Sequence, residues 1–373
     1  MKIQTTRDEI LNKILFINRA MSPKISNFIL NGIMMEAQNE TLNIYGTDLE
    51  TSINSRMNVK VIQQGRVVVP SKILINVLRS FPEAKLDIEL LNETNELSLT
   101  CQKANFKLNT FALEEYPQFP EIKNANSFKI DFKTLKYLIS KVQKSCSSDE
   151  SRVILTGILM DINKNYINLV ATDSYRLSVA GEEITYNGEQ VKVVIPERVL
   201  DTITKSDLSA GSLDINIEEN QISFVISESA ENKNFRTTVI SRLLSGKFPD
   251  YSNLIPQDFK HSIIMNRAGM LEVIKRVSSI SQDNIPIKLD FEKGKLVVSM
   301  NIRETGSSVE DLDISYGEET LEIAFNPEFL IEGLNIMDDE KIIFDIVEPL
   351  KPIMIKPEKN KNLFYLLMPI RIS

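Results

Sequence analysis

The sequence predicts an α+β protein built from three repeats. Each repeat is a doubled βαβββ unit; if the sheets lie outside and the helices line the inside of a closed arrangement, basic helix faces would line a channel. Three observations predict it: a strand-and-helix opening that recurs at a spacing of roughly 130 residues, a strand-proline-helix junction in every repeat, and positive charge gathered on helices of an acidic chain. Self-similarity comes first because a missed repeat spoils every later assignment.

Each repeat opens with a short strand and an amphipathic helix, at Met1 to Met21, Phe128 to Cys146 and His261 to Ile280. Alternating strand patterns with a polar turn follow. They read Thr41-Leu42-Asn43-Ile44-Tyr45-Gly46-Thr47-Asp48 in the first repeat and Tyr166-Ile167-Asn168-Leu169-Val170-Ala171-Thr172-Asp173 in the second, so the two Thr-Asp pairs stand 125 positions apart. The third repeat has Met300-Asn301-Ile302-Arg303-Glu304 at that place. Next, a β-branched strand runs into proline and a helix: Val67-Val68-Val69-Pro70, Val193-Val194-Ile195-Pro196 and Ile323-Ala324-Phe325-Asn326-Pro327. Proline suits a first helical turn, where its missing N–H is no loss. Hairpins such as Lys85–Leu91 with Glu96–Cys101 close the unit. Pro- and aromatic-rich stretches, Tyr116-Pro117-Gln118-Phe119-Pro120 and Phe248 through Pro256, read as linkers between domains at 1–122, 127–252 and 253–373.

Composition fits a folded chain of several cores, with 373 residues, 42% hydrophobic and 25% charged. No stretch approaches the roughly 18 to 20 apolar residues that span a bilayer, and no signal-like core follows Met1, so a cytoplasmic protein is expected. Cys101 and Cys146 lie far apart without neighbouring histidine, which removes a disulfide framework and a Cys/His zinc site. His261 is the single histidine, which excludes most Ser/His/Asp and Cys/His catalysis. Neither a phosphate-binding glycine loop nor metal-ligand spacing is present, so no cofactor or metal is expected. A glycosidase reading would rest on Asp48 and Asp173. Both occupy equivalent turns of a repeat, where aspartate bonds nearby backbone amides, and a non-catalytic protein is the better reading.

The net charge is −8. Helices at 7–21, 71–80, 131–144, 196–205, 266–278 and 327–334 carry 14 Lys and Arg against 8 Asp and Glu, which leaves −14 for the remainder. On the helix from Asp131, an apt N-cap, Lys133, Lys136 and Lys144 share one side with Lys141 at its margin, opposite Leu135, Leu138, Ile139 and Val142. One such face is an ordinary solvated surface. Repeated over six helices, it points to a phosphate backbone as occupant. Channel candidates on this argument are Lys72, Arg79, Lys133, Lys136, Lys141, Lys144, Arg198 and Lys275. Twelve helices from two chains, spaced about 10 Å apart, would enclose a hole on the order of 28 Å, wide enough for duplex DNA.

Four further segments carry a family resemblance: Gly46-Thr47-Asp48-Leu49-Glu50, Ala171-Thr172-Asp173-Ser174-Tyr175-Arg176-Leu177, Gly246-Lys247-Phe248-Pro249-Asp250-Tyr251 and Leu367-Met368-Pro369-Ile370-Arg371. Over the entire chain the sequence resembles the bacterial DNA polymerase sliding clamps, the beta subunits of the replicative polymerase. The resemblance implies three DNA-clamp domains and a head-to-tail homodimer ring around double-stranded DNA. It also implies partners: a clamp loader, the replicative polymerase, other polymerases and mismatch-repair proteins.

For the dimer contact the resemblance implies Lys103, Phe106, Lys107 and Leu108 on a first-domain edge strand, facing a third-domain helix near Ile280, with Glu304, Glu310 and Asp311 as acidic partners. For DNA it adds Lys24 and Arg152. For a groove that takes peptides with leucine or phenylalanine anchors it implies Leu155, Thr172, Tyr175, Arg176, Leu177, Pro249, Leu254, Leu350, Leu366, Met368, Pro369, Ile370 and Arg371. Met and Leu walls adapt to apolar side chains, and Arg176 and Arg371 are expected to meet peptide carbonyls or carboxylates. The chain departs from the family at Tyr175, where histidine is common, and at Asn253, where some members carry arginine. A plain contact between the second and third domains is the alternative for Leu155, Leu177 and Leu366. For the whole protein the alternative is a repeat scaffold that binds proteins and never DNA, against which the basic helix faces count.

Overall fold

The structure, a computed structural model, describes residues 1–21, 27–123, 126–206, 211–227, 236–281, 285–303 and 305–371. Among them are six α-helices: α1 Arg7–Asn18, α2 Ser71–Ser80, α3 Phe132–Val142, α4 Glu197–Thr204, α5 Arg267–Ser278 and α6 Pro327–Asn335. All six fall where the sequence periodicity puts them. Asp131 does cap α3, its Oδ1 accepting from the Thr134 N–H at 2.9 Å. Pro327 is the first residue of α6, whereas Pro70 and Pro196 end the strands before α2 and α4. The fixed φ of proline serves either place.

The strands form four antiparallel sheets. In the first, the order is Lys60–Gln63, Lys2–Thr6, Lys85–Leu91, Glu96–Cys101 and Ala104–Asn109. In the fourth it is Gly306–Asp313, Lys295–Ile302, Ile287–Glu292 and Leu321–Phe325. The other two sheets have eight strands and are shared between repeats. One joins Asn126–Asp131, Ser212–Ile217, Gln221–Ser227 and Arg236–Arg242 of the middle repeat to Thr51–Asn58, Thr41–Thr47, Gly32–Gln38 and Gly65–Pro70 of the first. The other joins Val191–Pro196, Gly157–Asn163, Tyr166–Thr172 and Arg176–Glu183 to Leu363–Leu367, Ile353–Pro357, Lys341–Ile346 and His261–Asn266.

Packing therefore divides the chain into two compact units, residues 1–136 with 198–243, and residues 137–197 with 244–373. Neither coincides with a repeat, because the middle repeat gives half its strands to each. The reason is the open edge. A strand edge left unpaired presents a row of N–H and C=O groups, and in each unit the seam strand of the middle repeat meets the seam strand of a neighbouring repeat.

The cores follow from periodicity. In the first unit Ile10, Ile14 and Ile17 of α1 and Leu74 and Leu78 of α2 are fully buried, with Leu42, Ile44 and Ile53 of the sheet. In the second unit Leu138, Ile139 and Val142 of α3, Met270 and Ile274 of α5 and Leu330 and Leu334 of α6 do the same, around Phe344 and Tyr365. Tyr365 donates its hydroxyl to the Phe329 carbonyl at 2.9 Å, which fixes the ring beneath α6. Gly333 of α6 lies against that ring so closely that a Cβ would stand 2.5 and 2.6 Å from two ring carbons. Alanine in a solvated helix gains about 1 kcal/mol over glycine. Here the sign reverses, and Gly333→Ala is expected to lose about 1–3 kcal/mol through overpacking, read as a lowered midpoint in urea unfolding.

Candidate functional site

The two Thr-Asp motifs fold into the same turn. In the first, Thr47 Oγ1 donates to the Thr51 carbonyl at 3.0 Å and accepts from Leu49 N–H at 3.0 Å. Asp48 Oδ1 accepts from Glu50 N–H and Thr51 N–H at 3.1 and 2.7 Å. In the second, Thr172 and Asp173 make the same set, Asp173 Oδ1 accepting from Tyr175 N–H and Arg176 N–H at 2.9 and 3.0 Å. The residue after each aspartate, Leu49 and Ser174, takes a positive φ of 73° and 82°. Such strain persists where surrounding hydrogen bonds over-determine it.

The second carboxylate oxygen takes an arginine from a different source in each turn. Asp48 Oδ2 binds Arg198 of α4 at 2.5 Å. Asp173 Oδ2 binds Arg176, three residues along its own turn, at 2.9 Å. Both aspartates are thus consumed structurally, which removes the glycosidase reading. Among the described residues no group of His, Cys, Asp and Glu could hold a metal. Burial pushes the Cys146 thiol up, against thiolate chemistry.

Both turns stand at the end of a seam. Arg242 N–H donates to the Glu50 carbonyl, and Met368 N–H donates to the Tyr175 carbonyl, each at 2.9 Å. In the first unit the two side chains carry opposite charge and lie 3.8 Å apart. In the second unit their counterparts are apolar and open, Tyr175 62% and Met368 41% exposed. Beneath them Leu155, Leu177, Leu366, Phe248 and Met354 form one buried cluster. The segment carrying Leu254, 48% exposed, is held by Tyr251, whose hydroxyl donates to Asp161 at 3.2 Å. Burial, then the Asp161 carboxylate, pushes that phenol up to about 12. Beyond Met368, Ile370 N–H donates to the Ala324 carbonyl at 2.7 Å. Leu350, Ile370 and Arg371 line a cavity of about 450 Å³ with Ala324 and Pro349. Pro249 is exposed and Pro369 half-buried alongside.

The polar groove candidates Thr172 and Arg176 are buried as well. Thr172 is spent within its turn, its hydroxyl donating to the Arg176 carbonyl. Arg176 is 9% exposed, and its guanidinium binds Asp173, Glu332 of α6 and the Lys144 carbonyl while lying 4.1 Å over the Phe329 ring. The expectation that it meets peptide groups directly is corrected: it positions the turn beneath Tyr175.

The basic residues divide in the same way. Lys72 and Arg79 of α2, Lys133 of α3, Lys144 beyond it and Lys275 of α5 are exposed. Lys136 is half-buried over the Phe132 ring at 5.3 Å. Lys141 is corrected as a phosphate ligand, since it is buried, paired with Asp338 at 2.5 Å and packed on Tyr137 at 4.8 Å. Arg198 is likewise held by Asp48, and Arg152 by Asp149 and Ser174 at 3.0 and 2.9 Å. Lys24 lies outside the described residues.

For the dimer contact, the strand Ala104–Asn109 is an edge of the first sheet. Lys103 and Lys107 are exposed, Phe106 is 41% exposed against Phe81, and Leu108 turns inward at 8%. Ile280 is half-buried just past α5, and Glu304 lies outside the described residues. Glu310 binds Arg276 of α5 at 2.6 Å, and this arginine holds its carboxyl below the usual range. Sequence reasoning missed a second edge, the strand Gly306–Asp313, where Val309 is 71% exposed. Its alternation Ser307, Val309, Asp311 was the available signal.

Three family models match this chain: the N-terminal domain of the DNA polymerase III beta subunit over residues 1–120, the central domain over 129–250 and the C-terminal domain over 252–371. The beta sliding clamp of Bacillus subtilis is 29% identical over 386 aligned residues and covers 100% of both chains. That of Staphylococcus epidermidis is 28% identical, covering 100% of this chain and 99% of its own. Among solved structures, the Bacillus subtilis DNA polymerase sliding clamp superposes with a TM-score of 0.93 at 28% identity, and the Thermotoga maritima DNA polymerase III beta subunit with 0.90 at 25%, each over 100% of both chains.

The two arginines of the turns should differ in weight. Arg176→Ala leaves the buried Asp173 carboxylate without its cation, beside the half-buried Glu332, and is expected to cost about 3 kcal/mol. Arg198→Ala removes a half-exposed partner and should cost about 1 kcal/mol or less. Chemical unfolding of the two variants side by side checks this order.

Proposed function

The chain belongs to the DNA polymerase III beta subunit family, the beta sliding clamps, and on that premise we propose that two copies close head to tail into a ring around duplex DNA. It is a non-catalytic processivity factor in DNA replication. The observation that carries the DNA contact is the sign of the exposed helix charge: Lys72, Arg79, Lys133, Lys144 and Lys275 lie on or beside helices of a chain whose net charge is −8. Single charges spread over several helices attract the phosphate backbone without reading bases. Helices inside and sheets outside would set these residues toward the duplex. Among the described residues no helix is long and apolar enough to cross a membrane, and this reading puts the protein in the cytoplasm with the chromosome.

Ring closure needs two different surfaces that complement each other, and a heterologous contact closes only if its rotation does. The edge strands Ala104–Asn109 and Gly306–Asp313 supply them. Pairing the edge of one copy with that of the next would extend both sheets and bring Phe106 to the partner's apolar surface. Lys103 and Lys107 would meet carboxylates such as Asp311. This replaces the helix near Ile280 as the main contact, with Ile280 beside it.

The groove around Tyr175, Leu254, Leu350 and Met368 is proposed as the dock for polymerases, the clamp loader and repair proteins. Its floor is apolar and its open rim carries Arg371, which suits an extended peptide with one or two leucine or phenylalanine anchors. Tyr175, 62% exposed, stands on that rim.

Loaded by an active clamp loader onto nicked circular DNA, the protein should stay bound through gel filtration at high salt and leave once the circle is cut. Equal loss from circle and linear DNA would reduce the contact to electrostatics and overturn the ring. In calorimetry, Met368→Ala should weaken a leucine-anchored peptide at least tenfold, about 1.4 kcal/mol, with an unchanged melting temperature. An unchanged affinity would remove the groove.

A further inference from the structure

The eight-stranded sheet of the first unit has two faces. α1 packs on one of them, against Thr41–Thr47 and Thr51–Asn58, and there Ile53, Ser55 and Met57 are buried. Asn54 and Arg56 alternate with these residues and so point to the opposite face. On that face Arg56 stands directly across from Arg236 in the antiparallel pairing of the seam. Both are exposed, and among the described residues neither guanidinium holds a hydrogen bond or a carboxylate. Like charges at facing positions repel. Elsewhere on the same sheet Arg66 and Arg242 are paired, with Glu36 and Glu50, so the pattern is local to this rung.

The first linker crosses the same face. Tyr45 donates its hydroxyl to the Pro117 carbonyl at 3.0 Å and meets the Phe119 ring edge-on at 5.1 Å, and Lys123 N–H donates to Glu218 at 2.5 Å. Between linker and sheet lies an open cavity of about 590 Å³, walled by residues 119–123 and by Asn43, Asn54, Arg56, Arg236 and Thr238. Within it Asn54 Oδ1 is buried and has no hydrogen-bond partner. That atom is closed to solvent, and Glu121 and Lys123 of the linker pair with each other, so what the wall presents is two cations in need of acceptors.

We infer that this face is a second docking site, for an extended acidic segment of a partner protein. Carboxylates on one side of such a segment meet Arg56 and Arg236 in charge-assisted hydrogen bonds. Side chains two residues apart on an extended chain project to the same side about 7 Å apart, a spacing that two neighbouring long arginines can match. A lone free anion offers one acceptor group to the two cations, whereas such a segment offers two. DNA held by the helices would also lie against the opposite face of this sheet. The site is separate from the apolar groove, whose residues all belong to the second unit.

The probe is a fluorescein-labelled ten-residue peptide of alternating glutamate and serine, titrated with the full chain and read by anisotropy. Binding should saturate, fall at least tenfold in the Arg56→Ser/Arg236→Ser double variant, and stay unchanged in Arg66→Ser. The double variant should melt no lower than the parent, because it relieves a repulsion. Absence of saturable binding, or equal affinity in the double variant, overturns the site. Displacement by inorganic phosphate at matched ionic strength would make it a simple anion site, and displacement by a duplex oligonucleotide would assign the face to DNA; either result overturns the acidic-segment assignment.

Discussion

Backbone pairing at two seams holds this protein's repeats together. Arg236–Arg242 with Thr51–Asn58, and Arg176–Glu183 with Leu363–Leu367, turn four-stranded halves into eight-stranded sheets. Each seam satisfies main-chain groups that an isolated repeat would leave on an edge. It also makes the linkers something other than free tethers, since Tyr45 and Tyr251 tie them down on the sheets they cross. The two units are therefore defined by hydrogen bonding across repeats rather than by the boundaries of the repeats.

The functional geometry grows from the ends of those seams. One turn, with the same threonine, the same aspartate and the same positive φ, terminates both. Only its surroundings differ. Where Glu50 and Arg242 face each other the end of the seam is ion-paired; where Tyr175 and Met368 occupy the equivalent places it is an open apolar rim over a leucine floor. The same scaffold thus ends in an ion pair at one turn and in exposed apolar side chains at the other. Arg176 shows the constraint such a site imposes. Its charge is buried, so it must be matched on several sides at once, by Asp173, Glu332 and a carbonyl. That matching anchors the turn to α6 and leaves the rim free for apolar contact.

Charge follows a similar division. An acidic chain tolerates clustered lysines on helix faces only where they remain solvated or find carboxylates. Lys133, Lys136 and Lys141 look alike along α3, yet Lys141 is folded under Asp338 and Tyr137 while Lys133 stays in water. The difference comes from Asp338, almost two hundred residues away, and no helical periodicity encodes it.

Much was legible from sequence because repeats and periodicity are local properties. The six helices, the buried stripe Leu135, Leu138, Ile139 and Val142, the capping Asp131 and the backbone-binding role of Asp48 and Asp173 all follow from spacing and side-chain chemistry within about ten residues. The groove residues were inferred from motif resemblance alone, and of them Tyr175, Leu254, Leu350 and Met368 are exposed. Tertiary structure alone decided which repeats share a sheet, which arginine completes each Thr-Asp turn, and which strand edges stay unpaired. Those outcomes depend on partners brought together from distant segments, and a hydrogen bond or ion pair between such segments leaves no periodic trace in either one.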